Sequence, residues 1–325
     1  MKILLDKKIH LFLQKLNIKE KNVLVGFSAG ADSTALLYVL NQKKDFFGFN
    51  LSAVFFKHGN SPIGLGEDKS LSLAQETCMR MGINLFQVEV KMEKTPGESW
   101  EEIGRNERRK FYQQKEFDFV FLGHHEDDQN ENTMIQLFRG AGMGITGMNE
   151  VEGKICRPFL GIEKVDIYEF LEKNKIKWQE DPTNNNIDFT RNFWRKKGLP
   201  AIEEHYKEYR KTLALFRKKQ KVQNLLLLEL ANIDGLKELI GNTPIQIEKL
   251  SKERIINLIQ FLGKLENSNL ELKQIEAFLD KGNKIGAYSI ETKKYTLCLT
   301  REKNQITLSK LNHKNDVSIR PTLKL

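Results

Sequence analysis

Residues 25–33 read V-G-F-S-A-G-A-D-S, and this segment constrains the fold more than any other. It follows Val23-Leu24-Val25 and leads into Thr34-Ala35-Leu36-Leu37-Tyr38-Val39-Leu40, so the order is strand, small-residue turn, helix. Such a turn aims backbone N–H groups and hydroxyls at one point beside a helix N-terminus. Unpaired donors and the helix dipole make that point attractive to a phosphate. Gly26 and Gly30 allow close backbone approach and positive φ. Ser28 and Ser33 can donate to phosphate oxygens. Asp32 repels a bare phosphate, so a cation is needed between them, and Mg²⁺ is the usual one. No Gly-Lys-Ser/Thr follows, so this is not a Walker A loop, and the G-x-G-x-x-G spacing of a dinucleotide fold is absent. The bland reading is a simple N-cap by Ser or Asp.

Strand and helix signals alternate through the first half. Val23–Phe27, Leu51–Phe56, Leu85–Val90 and Phe119–Leu122 are short, apolar and rich in β-branched or aromatic residues. Helical patterns lie between them, at about 31–42, 67–81 and 98–116. This alternation predicts a parallel sheet covered by helices on both faces. Ligands of such sheets bind at the carboxyl ends of the strands. The conspicuous polar residues fall there: Ser28 to Ser33, His58-Gly59 and His124-His125.

From residue 163 the pattern changes. Val165, Ile167, Tyr168, Phe170 and Leu171 predict an amphipathic helix, Trp178 to Asn184 an extended piece and turn, and 190–232 a basic helical stretch. Gly235 to Pro244 reads as a loop. Two helical patterns (251–263 and 270–281) precede a β-like stretch from Tyr288 to Leu308. A chain of 325 residues exceeds what one core usually holds, and we expect domains over 1–215 and 216–325.

The net charge of +9 favours an anionic partner, of which nucleic acid is the commonest large one. The excess is local. Eleven Lys or Arg against three Glu lie between Arg191 and Lys221, as expected of a phosphate-tracking surface. The bland alternative is a solvated basic helix face. No apolar run approaches a membrane span, no signal-peptide pattern opens the chain, and Cys78, Cys156 and Cys298 form no C-x-x-C. We therefore expect a reducing, cytoplasmic setting without a disulfide framework or Cys-rich metal site.

Residues 123–134, G-H-H-E-D-D-Q-N-E-N-T-M, lie where a strand ends and a helix begins. Asp128 and Glu131 share a helix face, as do Asp127 and Glu131. The helix dipole accounts for one or two acids here, but not for the His pair in front of them. A zinc site is disfavoured because H-x-x-x-H spacing is missing. On the helix at 98–116, Arg105 shares a face with Arg108 and Arg109, suited to charge developing on a phosphate. Alone it would read as a solvated basic helix. Arg139-Gly140-Ala141-Gly142-Met143-Gly144 is a flexible loop or a C-cap.

Taken in order, these pieces resemble the tRNA(Ile)-lysidine synthases of the PP-loop ATP pyrophosphatase superfamily. S-G-G-x-D-S appears as S-A-G-A-D-S (28–33), and H-H-x-D-D-Q-x-E-T as H-H-E-D-D-Q-N-E-N (124–132). R-G-x-G falls at 139–142, and W-x-E-D-x-[ST]-N with R-N-x-x-R at 178–184 and 191–195. The match covers roughly the first 200 residues. The phosphate loop marks only the superfamily, whereas the other segments are far more specific. The chain departs at Ala29, a glycine in the family pattern, which is unstrained only if φ is negative. It departs also at Asn132 for threonine, and at K-H-G-N-S (57–61) for N-H-G-L-R.

The resemblance implies an α/β fold: a parallel-sheet, adenine nucleotide α-hydrolase-like PP-loop domain with a smaller helical or α+β C-terminal domain. It implies ATP-dependent joining of L-lysine to C2 of the wobble cytidine of CAU-anticodon tRNA(Ile). Phe27, Ser28, Ala29, Gly30, Ala31, Asp32 and Ser33 would hold ATP, with Mg²⁺ on Asp32. Arg105 and His124 would serve adenylation, and Asp128 and Glu131 would grip lysine. Arg191, Arg195, Lys196, Lys197, Arg217, Lys218 and Lys219 would meet tRNA, and a homodimer stays open. The rivals are a PP-loop tRNA thiolase, a non-catalytic nucleotide-dependent RNA-binding protein, and an ammonia-using ligase of the NAD synthetase type.

Overall fold

The computed structural model describes residues 5–59, 67–90, 100–114, 116–140, 145–180, 190–268, 270–282, 284–302 and 305–313, the side chain of Glu101 excepted. Two compact units divide it, Met1–Arg217 and Lys218–Leu325.

The first unit opens with α1 (Leu5–Gln14), β1 (Asn22–Gly26), α2 (Ala31–Phe47), β2 (Asn50–Lys57), α3 (Glu67–Met81), β3 (Asn84–Glu89), α4 (Trp100–Tyr112) and β4 (Phe119–Phe121). It continues with α5 (Glu126–Phe138), β5 (Val151–Glu152), β6 (Ile155–Cys156), α6 (Lys164–Lys173), α7 (Thr190–Phe193), a π-helical turn (Trp194–Gly198), α8 (Leu199–His205) and the start of α9 (Tyr209–Ile233). The sheet order is β3-β2-β1-β4-β6-β5, parallel except for the β5–β6 pair.

Strand periodicity places the core. Val23 and Val25 of β1, Ala53 and Phe55 of β2 and Phe121 of β4 join a cluster with α1, α2 and α6. Their alternates Leu24, Val54, Phe56 and Val120 join Tyr112 and Phe117 in a second cluster. Successive side chains of a strand point to opposite faces, so each central strand feeds two cores. The expected parallel sheet covered on both faces is the sheet observed. The two-residue strands β5 and β6 were not expected, being too short to show a pattern.

In the second unit α9 ends and α10 (Leu236–Ile240), β7 (Ile245–Gln246), α11 (Lys252–Leu265), α12 (Leu272–Lys281), β8 (Gly286–Glu291), β9 (Tyr295–Glu302) and β10 (Gln305–Asn312) follow. The antiparallel order is β7-β10-β9-β8. Tyr295, Leu297 and Leu299 alternate into the core of this unit. Buried Lys310 spans it, donating to Glu266 Oε1 at 3.0 Å and to the Ile240 carbonyl at 3.2 Å. Asp234 pairs with Arg254, and Asn257 donates to the Leu227 carbonyl at 2.9 Å, fastening the end of α9 to α11. The expected loop at 235–244 contains α10 because Leu236 and Leu239 are buried.

Candidate active site

The site forms where β1 and β4 lie side by side. After β1 the chain turns sharply. Ser33 Oγ receives the Ser28 N–H at 3.2 Å, lies 3.2 Å from Ser28 Oγ and donates to the Gly30 carbonyl at 3.1 Å. Gly30 is the N-cap of α2, with φ −71° and no side-chain cap. The first turn of α2 thus keeps N–H groups for an anion.

The left-handed residue in this loop is Ala29, at φ 60°. Gly30 does not use the positive φ open to it, and the negative φ that would leave Ala29 unstrained is not adopted. Its carbonyl is fixed by the Gln179 N–H at 2.9 Å. The left-handed conformation costs an alanine roughly 1–2 kcal/mol. Against this stand about 0.8 kcal/mol for burying its methyl and about 0.4–1 kcal/mol for the entropy a glycine loses on folding. Ala29→Gly should therefore leave the melting temperature within a few degrees. Ala29→Val, β-branched where φ is positive, should lower it clearly. A thermal melt of both variants checks this, and an unperturbed valine variant would contradict the loop geometry.

Gly123 brings the two turns together. A Cβ there would lie 3.0 Å from the Asp32 carbonyl carbon and 3.1 Å from the Ser33 nitrogen. The turn after β4 can therefore pass directly over the start of α2. This contact carries His125 to Asp32, with 3.6 Å between Nε2 and Oδ2.

His125 is the N-cap of α5 and is 1% exposed. Its backbone N–H donates to Asp128 Oδ2 at 2.9 Å, and its ring approaches Asp127 and Asp128 at 3.5 Å each. Burial disfavours its charged form, but Asp128, Asp127 and Asp32 outweigh burial and raise its pKa to about 10. In the neutral ring Nδ1 accepts the Asp127 N–H at 3.2 Å. In the imidazolium Nδ1–H turns instead to the Asp127 carboxylate. Three carboxylates within 3.6 Å favour the imidazolium at neutral pH.

A folded-state pKa above the unfolded value means that the stabilisation is complete below about pH 6.5. It is lost as pH rises toward about 10. The gap in unfolding free energy between the protein and His125→Gln should narrow over that interval. A gap that widened with pH would contradict the charged ring. His124 behaves oppositely: burial lowers its pKa to about 4, so it is neutral, and its buried Nδ1 has no partner among the described residues.

α5 is unusual in burying polar side chains: Asp128, Gln129, Asn130, Glu131 and Thr133. Three of its faces meet arginines. Asp128 Oδ1 accepts from Arg191 at 2.7 Å and Arg195 at 3.4 Å. Glu131 accepts from Arg191 Nε and Arg195 Nε, both at 2.7 Å. Asp127 pairs with Arg210, and Glu126 with Arg217. Burial works against ionisation of Asp127 and Asp128. The imidazolium of His125, with Arg210 and Arg191 respectively, still holds both well below the usual carboxylate range. Asp32, Asp127, Asp128 and Glu131 are thus balanced by His125, Arg191, Arg195 and Arg210. Arg191 lies in α7 and Arg195 four residues on, in the π-helical turn that follows, so both reach the same pair of carboxylates. A Cβ on Gly198 would lie 2.3 Å from the Trp194 ring.

The structure therefore redistributes the expected residues. Asp32, His124, Asp128 and Glu131 come together beside the loop of Phe27 to Ser33. Arg105 lies on the exposed side of α4. Arg217, expected on tRNA phosphate, is 6% exposed and hydrogen-bonds Asn130 at 2.8 Å and Thr133 at 3.3 Å. That correction has a simple cause: a guanidinium already desolvated and paired cannot serve a surface phosphate. Arg191 and Arg195 likewise turn inward, whereas Lys196, Lys197, Lys218 and Lys219 are exposed. Sequence reasoning missed Glu126 and Asp127 as partners of α9. Residues 60–61, 141–144 and 181–184 of the expected motifs lie outside the described residues.

The PP-loop domain model matches residues 1–202. Among curated proteins, the chain is 34% identical to a tRNA(Ile)-lysidine synthase of Nitrosomonas europaea over 73% of this chain and 54% of that protein. It is 26% identical to that of Bdellovibrio bacteriovorus, over 88% of this chain and 92% of that one. The chain spans between about half and three-fifths of the length of several curated relatives. Among solved structures it is similar to the U34-tRNA thiolase NcsA of Methanococcus maripaludis with its 4Fe-4S cluster. The TM-score is 0.54 over 66% of this chain and 77% of that one. At 18% identity, that likeness concerns the fold alone.

Proposed function

The chain belongs to the PP-loop domain family, and from that premise we propose that it is an ATP-dependent tRNA(Ile)-lysidine synthase. The observation that carries this reading is the buried Asp128–Glu131 pair on α5, joined through His125 to Asp32 of the phosphate loop. A module that only held ATP would have no need of the second carboxylate pair. Relatives 26–34% identical that bear this name support the same reading.

The chemistry runs in two steps. The C2 carbonyl oxygen of the wobble cytidine attacks the α-phosphorus of ATP and pyrophosphate leaves. The lysine ε-ammonium first gives one proton to water, the free amine attacks C2, AMP leaves with the oxygen, and the new C–N nitrogen releases a second proton to water. The α2 N-terminus with Ser28 and Ser33 binds the leaving pyrophosphate. Asp32 Oδ1 is buried without a partner among the described residues. Such an oxygen fits a cation shared with phosphates, and Mg²⁺ there would offset the charge of the leaving group. Neutral His124 lines the adenylation site.

Asp128 and Glu131 orient the lysine. Asp128 is held so far below the usual carboxylate range that it makes a poor general base, so gripping the ammonium is its role. The acceptors are engaged by Arg191 and Arg195. Lysine entry then exchanges one cation for another within a balanced cluster, and displaced guanidiniums are left for phosphate.

The exposed lysines 196, 197, 218 and 219 track the tRNA backbone. Neutralising all four should weaken tRNA binding and flatten its salt dependence by roughly 0.7–0.9 in the log–log slope per lost contact. An unchanged slope in a filter-binding titration would mark them as solvated charge. A thiolase reading is disfavoured by the cysteines. Burial pushes Cys78 up to about 11 and Cys156 up to about 12, and Cys298 is raised as well. Reactive thiols are shifted the other way. Incorporation of labelled lysine into tRNA transcripts tests the proposal as a whole.

A further inference from the structure

Arg210 and Arg217 lie seven residues apart on α9, two turns along one face. They reach adjacent residues, Asp127 and Glu126, in the first turn of α5. Arg217 lies along a single stripe of α5, Glu126, Asn130 and Thr133, spaced four and three residues apart. Its stem also backs onto the loop after α5, since a Cβ on Gly147 would lie 2.8 Å from Arg217 Cδ. Gln129 ties the same loop down, accepting from Met148 N–H at 2.7 Å and donating to its carbonyl at 2.9 Å. Arg217 is the last residue of the first unit, and α9 continues unbroken into the second.

We propose that Arg210 and Arg217 are positioning residues for ligation: from the helix that continues into the C-terminal unit, they fix the first turn of α5 and so the placement of His125, Asp128 and Glu131 against Asp32. Neither arginine has to touch a substrate for this. Asp127 meets Arg210 on one side and His125 on the other, so a shift of α9 moves the carboxylate that orients the ring. Glu126 and Asp127 stand immediately after that ring in sequence. Loss of Arg217 removes the guanidinium that pairs with Glu126. Loss of Arg210 leaves Asp127 held, among the described residues, by His125 and the Lys164 N–H alone. Either way the turn is held less firmly. A misplacement of about 1 Å is enough to cost roughly a hundredfold in rate. The inference rests on the lysidine synthase reading above and adds the residues that hold its site.

The test uses the full chain with ATP, labelled lysine and a tRNA(Ile) transcript. Arg210→Met and Arg217→Met should each lower kcat at least tenfold. KM for ATP and Kd for tRNA should stay within about twofold, while KM for lysine rises with the displaced Asp128 and Glu131. Arg217→Lys should recover part of the loss. If Arg217→Met fails to fold, the double variant Glu126→Gln/Arg217→Met removes both charges and carries the same expectation. Weakened tRNA binding with unchanged kcat would overturn the proposal, since the arginines would then act on RNA. A folded double variant with full kcat would overturn it too, because the pair would be structural only. A wild-type chain that ligates no lysine would instead fail the underlying reading, and this proposal with it.

Discussion

Asp32→Ala is expected to abolish ATP–pyrophosphate exchange measured with tRNA present, while the protein stays folded. Asp32 sits in the first turn of α2, one oxygen facing His125 and the other buried without a partner among the described residues. A carboxylate in a phosphate loop is unfavourable unless a cation stands between it and the anion. Removing such a charge-stabilising group commonly lowers rate by about 10²–10³-fold. The fold should tolerate the change, because the sheet core lies beneath the loop and His125 keeps Asp127 and Asp128. Normal exchange in a folded variant would remove the metal role from Asp32.

The second large effect is expected at Glu131. It is 1% exposed and receives Arg191 and Arg195 at 2.7 Å each. A hydrogen bond to a charged group is worth about 1.5–3 kcal/mol, and about 1.4 kcal/mol already makes a tenfold change. Glu131→Gln should therefore raise KM for lysine at least tenfold and leave ATP and tRNA affinity little changed. Steady-state kinetics with lysine and ATP varied separately decide this. A variant that weakened ATP and left lysine untouched would assign the carboxylates to the nucleotide site.

The sheet was legible because its strands are short apolar runs between polar turns. Val23–Phe27 and Leu51–Phe56 differ from β1 and β2 only at their ends. The phosphate loop was legible too, but not its strain. Only backbone geometry tells that Ala29, and not Gly30, is left-handed. The basic stretch from Arg191 misled for a physical reason. Charge can be counted in a sequence, but its direction depends on what a helix packs against, and α5 presents buried acids where an apolar stripe is usual. Arg191, Arg195, Arg210 and Arg217 answer those acids, while the neighbouring lysines 196, 197, 218 and 219 remain outside. The break in the expected helix at 190–232 has a similar origin. The π-helical turn and the residues between α8 and α9 interrupt it, and local periodicity does not show that.

The measurement that bears most directly on the account is incorporation of labelled lysine into tRNA transcripts by the full chain with ATP and Mg²⁺. CAU-anticodon isoleucine and methionine transcripts should be compared side by side. The account predicts stoichiometric lysine on the isoleucine transcript, with one AMP and one pyrophosphate released for each, and little on the methionine transcript. ATP bound or turned over with no lysine joined to either transcript would contradict it.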